Sequence, residues 1–316
     1  MNLGELTEFG WIDRIRRAAE RAGVPRHVVV GIGDDAAVLR PRAGEDVVVS
    51  TDALVEDAHF RWRTDPGRQV GRRAVAASLS DLAAMGARPL GVTVAFAGPA
   101  ELPVRRLDAV TAGLLDVCTR CDAPLVGGNV ARARKTSLTV TALGAVRRGQ
   151  ALRRGSARVG DRLLVTGRLG EAALSRARAG RTGRVLHTPE PRLQAGQALA
   201  RAGWAGACID LSDGLVADLG HLLEASGVGA RVAVADAPRR KGFDAACRRA
   251  RLDPARTLLA GGEDYELLFT VRRHAPSVAV LARRLGVAVT EVGEIVARGL
   301  HIEGAAPTGR GGFRHF

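Results

Sequence analysis

The stretch HVVVGIGDDAAVLRPRAGEDVVVSTD, residues 27–52, decides the class of fold. It contains two valine-rich runs, HVVV and DVVVS, which are separated by glycine, proline and charged residues. Runs of this kind predict β-strands, and no helical periodicity lies between the two. Two consecutive strands without a crossover helix argue against a purely parallel, doubly wound sheet. The sequence therefore predicts an α/β fold with mixed, α+β-like sheets that are covered by helices.

Strand and helix patterns alternate along the rest of the chain. After Val146 a Gly- and Arg-rich stretch, RRGQALRRGSARVGD, interrupts this alternation, and a new strand, RLLVTG, follows. We therefore predict two α/β domains, residues 1–147 and 148–316, each of a usual size for one hydrophobic core. The other predicted strands are LGVTVAFAG, APLVGG, SLTVTALGAV, ACID, ARVAV, YELLFTV and a C-terminal pair, and helices are predicted near 68–86, 104–121, 170–179, 214–227 and 275–285.

The basic composition does not by itself predict a nucleic-acid partner. The formal net charge is +14, but Lys135 and Lys241 are the only lysines, and the arginines form no block of five. Aromatic residues make up only 3% of the chain, which leaves few side chains to stack on bases. No run of 18 apolar residues predicts a membrane span, and the acidic N-terminus is unlike a signal peptide. We expect a cytoplasmic protein without membrane or nucleic-acid partners.

Oxygen-bearing side chains recur at positions where they stabilise a fold poorly. They follow strands or stand within an otherwise apolar helix, where a buried carboxylate without a partner is costly. Each acid alone could be a helix cap or a turn residue. As a set they suit Mg²⁺, which takes oxygen ligands from carboxylates, waters and substrate phosphates. Carboxylates from separate strand ends are therefore predicted to hold metals and a polyphosphate. The set is Asp34, Asp35, Ser50, Thr51, Asp52, Asp81, Asp210, Ser212, Asp213, Glu263 and Asp264.

The common nucleotide-binding signatures do not account for this set. The chain has no G-x-x-x-x-G-K-[ST] motif, and neither lysine lies in a comparable loop. GIGDDA matches G-x-G-x-x-A after a strand, as in a dinucleotide-binding turn. Without a metal, however, Asp34 and Asp35 would repel the pyrophosphate that such a turn receives. A metal-dependent phosphate site is the better interpretation.

Seven motifs, taken together, resemble the thiamine-monophosphate kinase family along the whole chain. They are GIGDDAAVL, STDALVEDAHF, SLSDLAAMGARPLG, VGGN, CIDLSDGLVADLGHL, LAGGEDYELLFTV and the terminal GFRHF, in this order. Relatives of that family, including aminoimidazole ribonucleotide synthetase, share an ATP-binding fold of two α/β domains. The resemblance implies this fold here, and a homodimer in which the N-terminal sheets pair.

The resemblance also implies an activity and a set of site residues. The activity is transfer of the γ-phosphoryl group of ATP to thiamine phosphate, with several Mg²⁺ ions. Asp34 is expected to support the site, and Asp52 and Asp210 are expected to be the most critical residues. The implied metal ligands are Asp35, Ser50, Thr51, Asp52, Asp81, Asn129, Asp210 and Asp213; Gly127, Gly128, Arg154 and Ser212 would contact ATP, and His59, Glu263 and Phe313 would contact thiamine phosphate.

The proposed chemistry needs no catalytic base, because a phosphate oxygen is already anionic at neutral pH. Positioning and charge neutralisation then suffice. His59 could hydrogen-bond the substrate phosphate, or it could only pack beside Phe60. Phe313 could lie against the cationic thiazolium or the pyrimidine, or it could close a seam of its domain.

Two positions depart from the family pattern. Asn129 stands where many members have a metal-binding Asp, so one negative charge is lost although the amide oxygen can still bind Mg²⁺. Ser78 stands where the family usually has Asn, three residues before Asp81. The first change leaves a second hypothesis open, namely a catalytically weakened nucleotide-binding protein of the same fold with a regulatory or nucleic-acid-associated role.

Overall fold

The computed structural model describes residues 2–185 and 187–304. Its chain divides into two compact units. The first contains the residues up to Leu82, Arg88–Arg148 and Ala179–Thr188; the second contains Ala83–Ala87, Gly149–Arg178 and the residues from Pro189 onward. The predicted domain division after residue 147 stays a prediction.

The first unit contains a mixed four-stranded sheet of order β3-β6-β4-β5, in which only β4 and β5 are parallel. Strands β1 and β2 form a separate antiparallel pair. The strands are β1 (Val28–Val30), β2 (Val38–Leu39), β3 (Glu45–Val55), β4 (Arg88–Gly98), β5 (Leu125–Arg132) and β6 (Ser137–Arg147), and the helices are α1 (Leu3–Leu6), α2 (Glu8–Ala22), α3 (Gly67–Ala84) and α4 (Val104–Arg120). The predicted mixed sheet is confirmed.

Helices α3 and α4 approach each other closely at two glycines. A Cβ atom on Gly71 would lie 2.1 Å from the Val110 carbonyl oxygen, and one on Gly113 would lie 2.0 Å from the Arg68 carbonyl oxygen. Neither position can hold a side chain without separating the helices. This packing holds α3 in place, and α3 carries Asp81.

The second unit contains a six-stranded sheet of order β12-β9-β11-β7-β10-β8, in which only β12 and β9 are parallel. Its strands are β7 (Arg162–Thr166), β8 (Ala205–Asp210), β9 (Gly229–Ala233), β10 (Leu267–Val271), β11 (Val289–Val296) and β12 (Leu300–Glu303). The remaining helices of the chain are α5 (Glu171–Thr182), α6 (Leu193–Ala200), α7 (Leu215–Ser226), α8 (Phe243–Arg249), α9 (Pro254–Ala260) and α10 (Val278–Leu285), with 3₁₀ turns at Arg154–Ser156 and Val234–Asp236. This sheet is also mixed, as predicted.

A cluster of buried aliphatic side chains forms the core of the second unit, under α7, α8 and α9. Helices α1, α2, α6, α8 and α9 were not predicted from the sequence. For α8 and α9 the reason is their length, because seven residues give too few turns for a clear apolar period. The strands and helices that were predicted each overlap an observed one. In the described part of the chain, no helix has the length and apolar character needed to cross a membrane.

Candidate metal and nucleotide site

Two carboxylates of the first unit, Asp52 and Asp81, lie beside each other. Alternate residues of β3 share one face of the sheet, so Ser50 and Asp52 both face α3. The Ser50 hydroxyl donates a hydrogen bond to Asp81 Oδ2. Asp52 Oδ2 is buried and has no hydrogen-bond partner. The fold thus brings these three side chains together, and their roles as metal ligands stay predictions.

The surroundings of Asp52 disfavour its charged form. Burial, with the neighbouring Asp81 carboxylate as a second cause, raises the pKa of Asp52 to about 6. The Ser78 hydroxyl partly opposes this shift, and it also contacts the Val140 carbonyl oxygen at 3.0 Å. The chain therefore holds two acids together and leaves one oxygen unsatisfied.

An oxygen-binding cation fits this pair. Mg²⁺ commonly takes one or two carboxylates and fills its remaining positions with waters and substrate phosphates. Within residues 2–185 and 187–304, no three His, Cys, Asp or Glu side chains are grouped as a complete metal cage. Two carboxylates are nevertheless the usual protein share of a Mg²⁺ site.

Thr51 and the VGGN motif lie apart from this pair. Thr51 points to the opposite face of the sheet, where its Oγ1 contacts Thr141 Oγ1 at 3.1 Å and the Val140 carbonyl oxygen at 3.2 Å. Asn129 is exposed on β5, three strands from β3, which is roughly 14 Å at the usual strand spacing. One chain therefore does not bring Asn129 to Asp52, and the ligand roles of Thr51 and Asn129 stay predictions.

An apolar pocket adjoins the VGGN motif within the first unit. Gly127, Gly128 and Asn129 form part of its lining, together with apolar side chains from α2, α4, β4 and β6. Trp11 is among them, and its Nε1–H is buried without a partner. A Cβ atom on Gly128 would lie 2.2 Å from the Val94 carbonyl oxygen, so close strand packing also requires this glycine.

The adjacent aspartates of GIGDDA form a local turn. Asp34 and Asp35 are both exposed, and the Asp35 N–H donates to Asp34 Oδ1 at 2.9 Å. This hydrogen bond is local to the turn, and the roles of Asp34 as a supporting residue and of Asp35 as a metal ligand stay predictions.

His59 is held in a loop after β3. Its Nδ1 accepts a hydrogen bond from the Val55 N–H at 3.0 Å, so the neutral ring carries its proton on Nε2. Phe60 is buried and makes an edge-to-face contact with Trp62, with ring centroids 4.9 Å apart. Phe60 is therefore the residue that packs in the interior, and His59 beside it is only half-buried.

The second unit places Asp210, Ser212 and Asp213 between β8 and α7. Asp210 is buried at the end of β8. Asp218, in the first turn of α7, accepts hydrogen bonds from the N–H groups of Asp213 and Gly214, both at 3.0 Å. Burial, with Asp213 as a second cause, raises the pKa of Asp218 to about 7. Asp218 fixes the shape of the loop that carries the predicted ligands.

The GGED loop packs directly on this loop. The Glu263 N–H donates to the Ser212 carbonyl oxygen at 2.7 Å, and the Tyr265 N–H donates to the Leu211 carbonyl oxygen at 2.9 Å. A Cβ atom on Gly262 would lie 2.4 Å from the Ser212 carbonyl oxygen, so this contact requires glycine. Glu263 itself has a φ of 66° and forms an ion pair with Arg176.

Two neighbouring acids are satisfied by the protein. Asp264 is buried and accepts hydrogen bonds from the N–H groups of Gly170 at 2.6 Å and Ala172 at 3.1 Å, at the start of α5. Glu266 accepts two hydrogen bonds from Arg192, both at 2.7 Å, and one from Thr166 Oγ1 at 2.7 Å. These two carboxylates hold the loop in place.

Of the last two predicted contact residues, Arg154 is among the described residues and Phe313 is not. Arg154 is exposed in a 3₁₀ turn, and its carbonyl oxygen accepts a hydrogen bond from the Ser226 hydroxyl at 2.8 Å. Phe313 lies outside the described residues, as does the rest of GFRHF.

Sequence reasoning missed Asp218 and the buried pair Asp65 and Arg73. An acid in the first turn of a helix is a recognisable cap signal, so Asp218 could have been found. Nothing in the local sequence indicates that Arg73 of α3 contacts the loop carrying His59.

Comparisons with known proteins identify the class of this chain. Residues 33–146 match the model for AIR synthase related protein, N-terminal domain, and residues 158–303 match the model for the C-terminal domain. The chain is therefore an AIR synthase related protein, with both domains of that class.

Comparison with individual relatives shows to which family within this class the chain belongs. It is 40% identical to a thiamine-monophosphate kinase of Salmonella typhimurium, with 85% of each chain covered. It is 39% identical to one of Synechococcus elongatus, with 84% of each covered. The chain belongs to the thiamine-monophosphate kinase family.

Solved structures agree. A thiamine-monophosphate kinase of Stenotrophomonas maltophilia matches with a TM-score of 0.82 and 37% identity, over 96% of this chain and 98% of that one. A structure described as "AaThiL complexed with AMPPCP and TMP" matches with a TM-score of 0.76 and 28% identity, over 100% and 99%.

Proposed function

We propose that this chain transfers the γ-phosphoryl group of ATP to the phosphate of thiamine phosphate, giving thiamine diphosphate and ADP. The observation that carries the proposal is the pair Asp52 and Asp81, where a buried Asp52 oxygen has no partner in the chain. Membership of the family supplies the substrates, because a relative has been solved with AMPPCP, an ATP analogue, and TMP.

Magnesium is the cofactor that suits the oxygen donors of this chain. When bound, Mg²⁺ supplies positive charge that neutralises the transferring phosphoryl group and its leaving oxygen. Asp52, Asp81 and Ser50 would hold it in the first unit, and Asp210 and Asp213 would hold it in the second. Asp35, Thr51 and Asn129 are proposed as further ligands.

The chain's own residues bind and orient the reactants. The backbone of Gly127 and Gly128 would contact ATP. Arg154 and Ser212 are the other proposed ATP contacts. On the acceptor side, His59 would donate its Nε2 proton in a hydrogen bond to the thiamine phosphate, with Glu263 and Phe313 as the other proposed contacts.

We propose a homodimer formed through the four-stranded sheet. Strand β3 is an edge strand of 11 residues, and Val47 and Val49 on its outer face are 53% and 61% exposed. A long edge strand with exposed valines is a ready surface for a second chain. We also expect the protein in the cytoplasm, where ATP and magnesium are plentiful.

The test is to incubate the purified protein with ATP, Mg²⁺ and thiamine phosphate and to measure thiamine diphosphate by chromatography. EDTA and Asp52→Asn serve as controls, and both should abolish the product. If no product forms although ATP still binds with magnesium, the acceptor assignment, with His59, Glu263 and Phe313, is wrong.

A further inference from the structure

A buried ion pair lies under the loop that carries His59. Asp65 and Arg73 are only 5% and 6% exposed, and Arg73 Nη1 donates to Asp65 Oδ1 at 2.9 Å. The other end of the guanidinium, Nη2, donates to the His59 carbonyl oxygen at 2.8 Å. One side chain of α3 therefore joins the buried acid to the main chain of His59.

The second carboxylate oxygen of Asp65 accepts hydrogen bonds from other residues of the same loop. Asp65 Oδ2 accepts hydrogen bonds from the Arg61 N–H at 3.1 Å and from Thr64 Oγ1 at 2.8 Å. One carboxylate oxygen of Asp65 therefore binds Arg73 of α3, and the other binds Arg61 and Thr64 of the loop.

The His59 ring is fixed from the other side as well. The Val55 N–H bonds to Nδ1, which determines both the ring orientation and the tautomer. This hydrogen bond is possible only if the chain turns back after β3, and Asp57, at a φ of 69°, makes that turn. The Val55 N–H therefore holds the ring of His59, and the Arg73 guanidinium holds its carbonyl group.

A buried ion pair is a weak source of stability, since removing two charges from water opposes their attraction. Its planar, forked geometry, in contrast, is well suited to fixing two groups at one angle. We propose that Arg73 is a positioning residue for His59, which it holds with Nε2 directed to the phosphate of thiamine phosphate. This inference rests on the proposed function, because it takes His59 as a contact of that substrate.

Arg73→Lys is the first test. Lysine keeps the charge opposite Asp65 but cannot reproduce the fork that also reaches the His59 carbonyl. We expect KM for thiamine phosphate to rise on the order of 10-fold, with KM for ATP changed less than about 2-fold. The matched control is Arg88→Lys, whose guanidinium pairs with the largely buried Glu45 at 2.6 Å at the far end of β3. The control should change neither value.

A double-mutant cycle separates positioning from general damage. In a His59→Ala background, Arg73→Lys should cause less than about a 2-fold further change in kcat/KM. A full additional loss there, or an equal rise in both KM values, would overturn the proposal. If Arg73→Lys does not fold, Asp65→Asn tests the same point while preserving the size of the side chain.

An NMR measurement makes the result independent of activity. Nitrogen chemical shifts of the imidazole should show unprotonated Nδ1 for His59 in the wild-type protein and a mixture of tautomers in Arg73→Lys. An unchanged His59 signal would count against Arg73 as its positioning residue. Failure of the proposed function would look different, because the wild-type protein would then make no thiamine diphosphate.

Discussion

Buried acids at two places in this protein, Glu266 and Asp264 in the second unit and Asp52 in the first, have opposite surroundings. In the second unit, Glu266 is met by Arg192 and Thr166, and Asp264 by two main-chain N–H groups. In the first unit, Asp52 is placed beside another carboxylate, and one of its oxygens has no partner.

This difference distinguishes acids that stabilise the fold from acids that are placed to bind a ligand. A buried carboxylate is tolerated when the chain supplies donors, as it does for Glu266. Where the chain supplies a second acid instead, the pair is relieved either by a proton, as the raised pKa of Asp52 indicates, or by a cation from outside. The contrast therefore indicates a structural role for Glu266 and supports the proposal that Asp52 is a metal ligand.

The largest expected effect comes from Asp52→Asn. The amide keeps the shape but removes the charge that a metal would need, so thiamine diphosphate formation should fall by 100-fold or more, about 3 kcal/mol or more in the barrier. The matched control is Asp46→Asn on the same strand, where Asp46 is exposed. A steady-state assay at saturating Mg²⁺ checks this, and equal activities of the two variants would contradict the assignment.

Glu266→Gln should mainly affect stability. It leaves the Arg192 guanidinium without its buried partner, and the free energy of unfolding should fall by about 3 kcal/mol. Glu291→Gln, which breaks an exposed pair with Arg162 in the same sheet, should cost less than about 1 kcal/mol. Denaturant unfolding measures both. In Glu266→Gln, the magnesium concentration for half-maximal activity should equal that of the wild type. A large shift would contradict the distinction drawn between Glu266 and Asp52.

The pH dependence of stability should differ as well. In the metal-free fold, the pKa of Asp52 is raised to about 6, above its ordinary value of 3.8. An acid whose pKa is higher in the folded state than in the unfolded state stabilises the fold fully at pH values below its unfolded-state pKa. This stabilisation is lost as the pH rises through its folded-state pKa. Unfolding free energy should therefore fall between about pH 4 and pH 6, by about 3 kcal/mol from Asp52. Asp52→Asn should show a shallower fall, measured in EDTA, and a parallel curve would be inconsistent with a strained pair.

Most strand locations and those of helices α3, α4, α5, α7 and α10 followed from the sequence, because valine-rich runs and apolar periods are local signals. The alternation of β3 could also have shown that Thr51 faces away from Ser50 and Asp52. The separation of Asn129 from Asp52 could not have been found, because it depends on the strand order β3-β6-β4-β5. Nor could the contact of Arg73 with His59, which joins a helix to a loop 14 residues earlier.

The smallest effect is expected from Asn129→Asp. It restores a carboxylate at a position that is exposed and distant from Asp52 within one chain. If Asn129 is a ligand, the added charge should lower the magnesium concentration for half-maximal activity by about 3-fold. Unchanged magnesium dependence and turnover would show that Asn129 is not a ligand.

The most direct measurement counts bound metal without any reaction. Mn²⁺, which accepts the same oxygen ligands as Mg²⁺, can be titrated into the protein with the ATP analogue AMPPCP present, with the free ion followed by electron paramagnetic resonance. We predict that Asp52→Asn binds at least one ion fewer than the wild type, while Glu266→Gln binds the same number. Equal metal counts in wild type and Asp52→Asn would contradict the central claim that the unsatisfied carboxylate pair is a metal site.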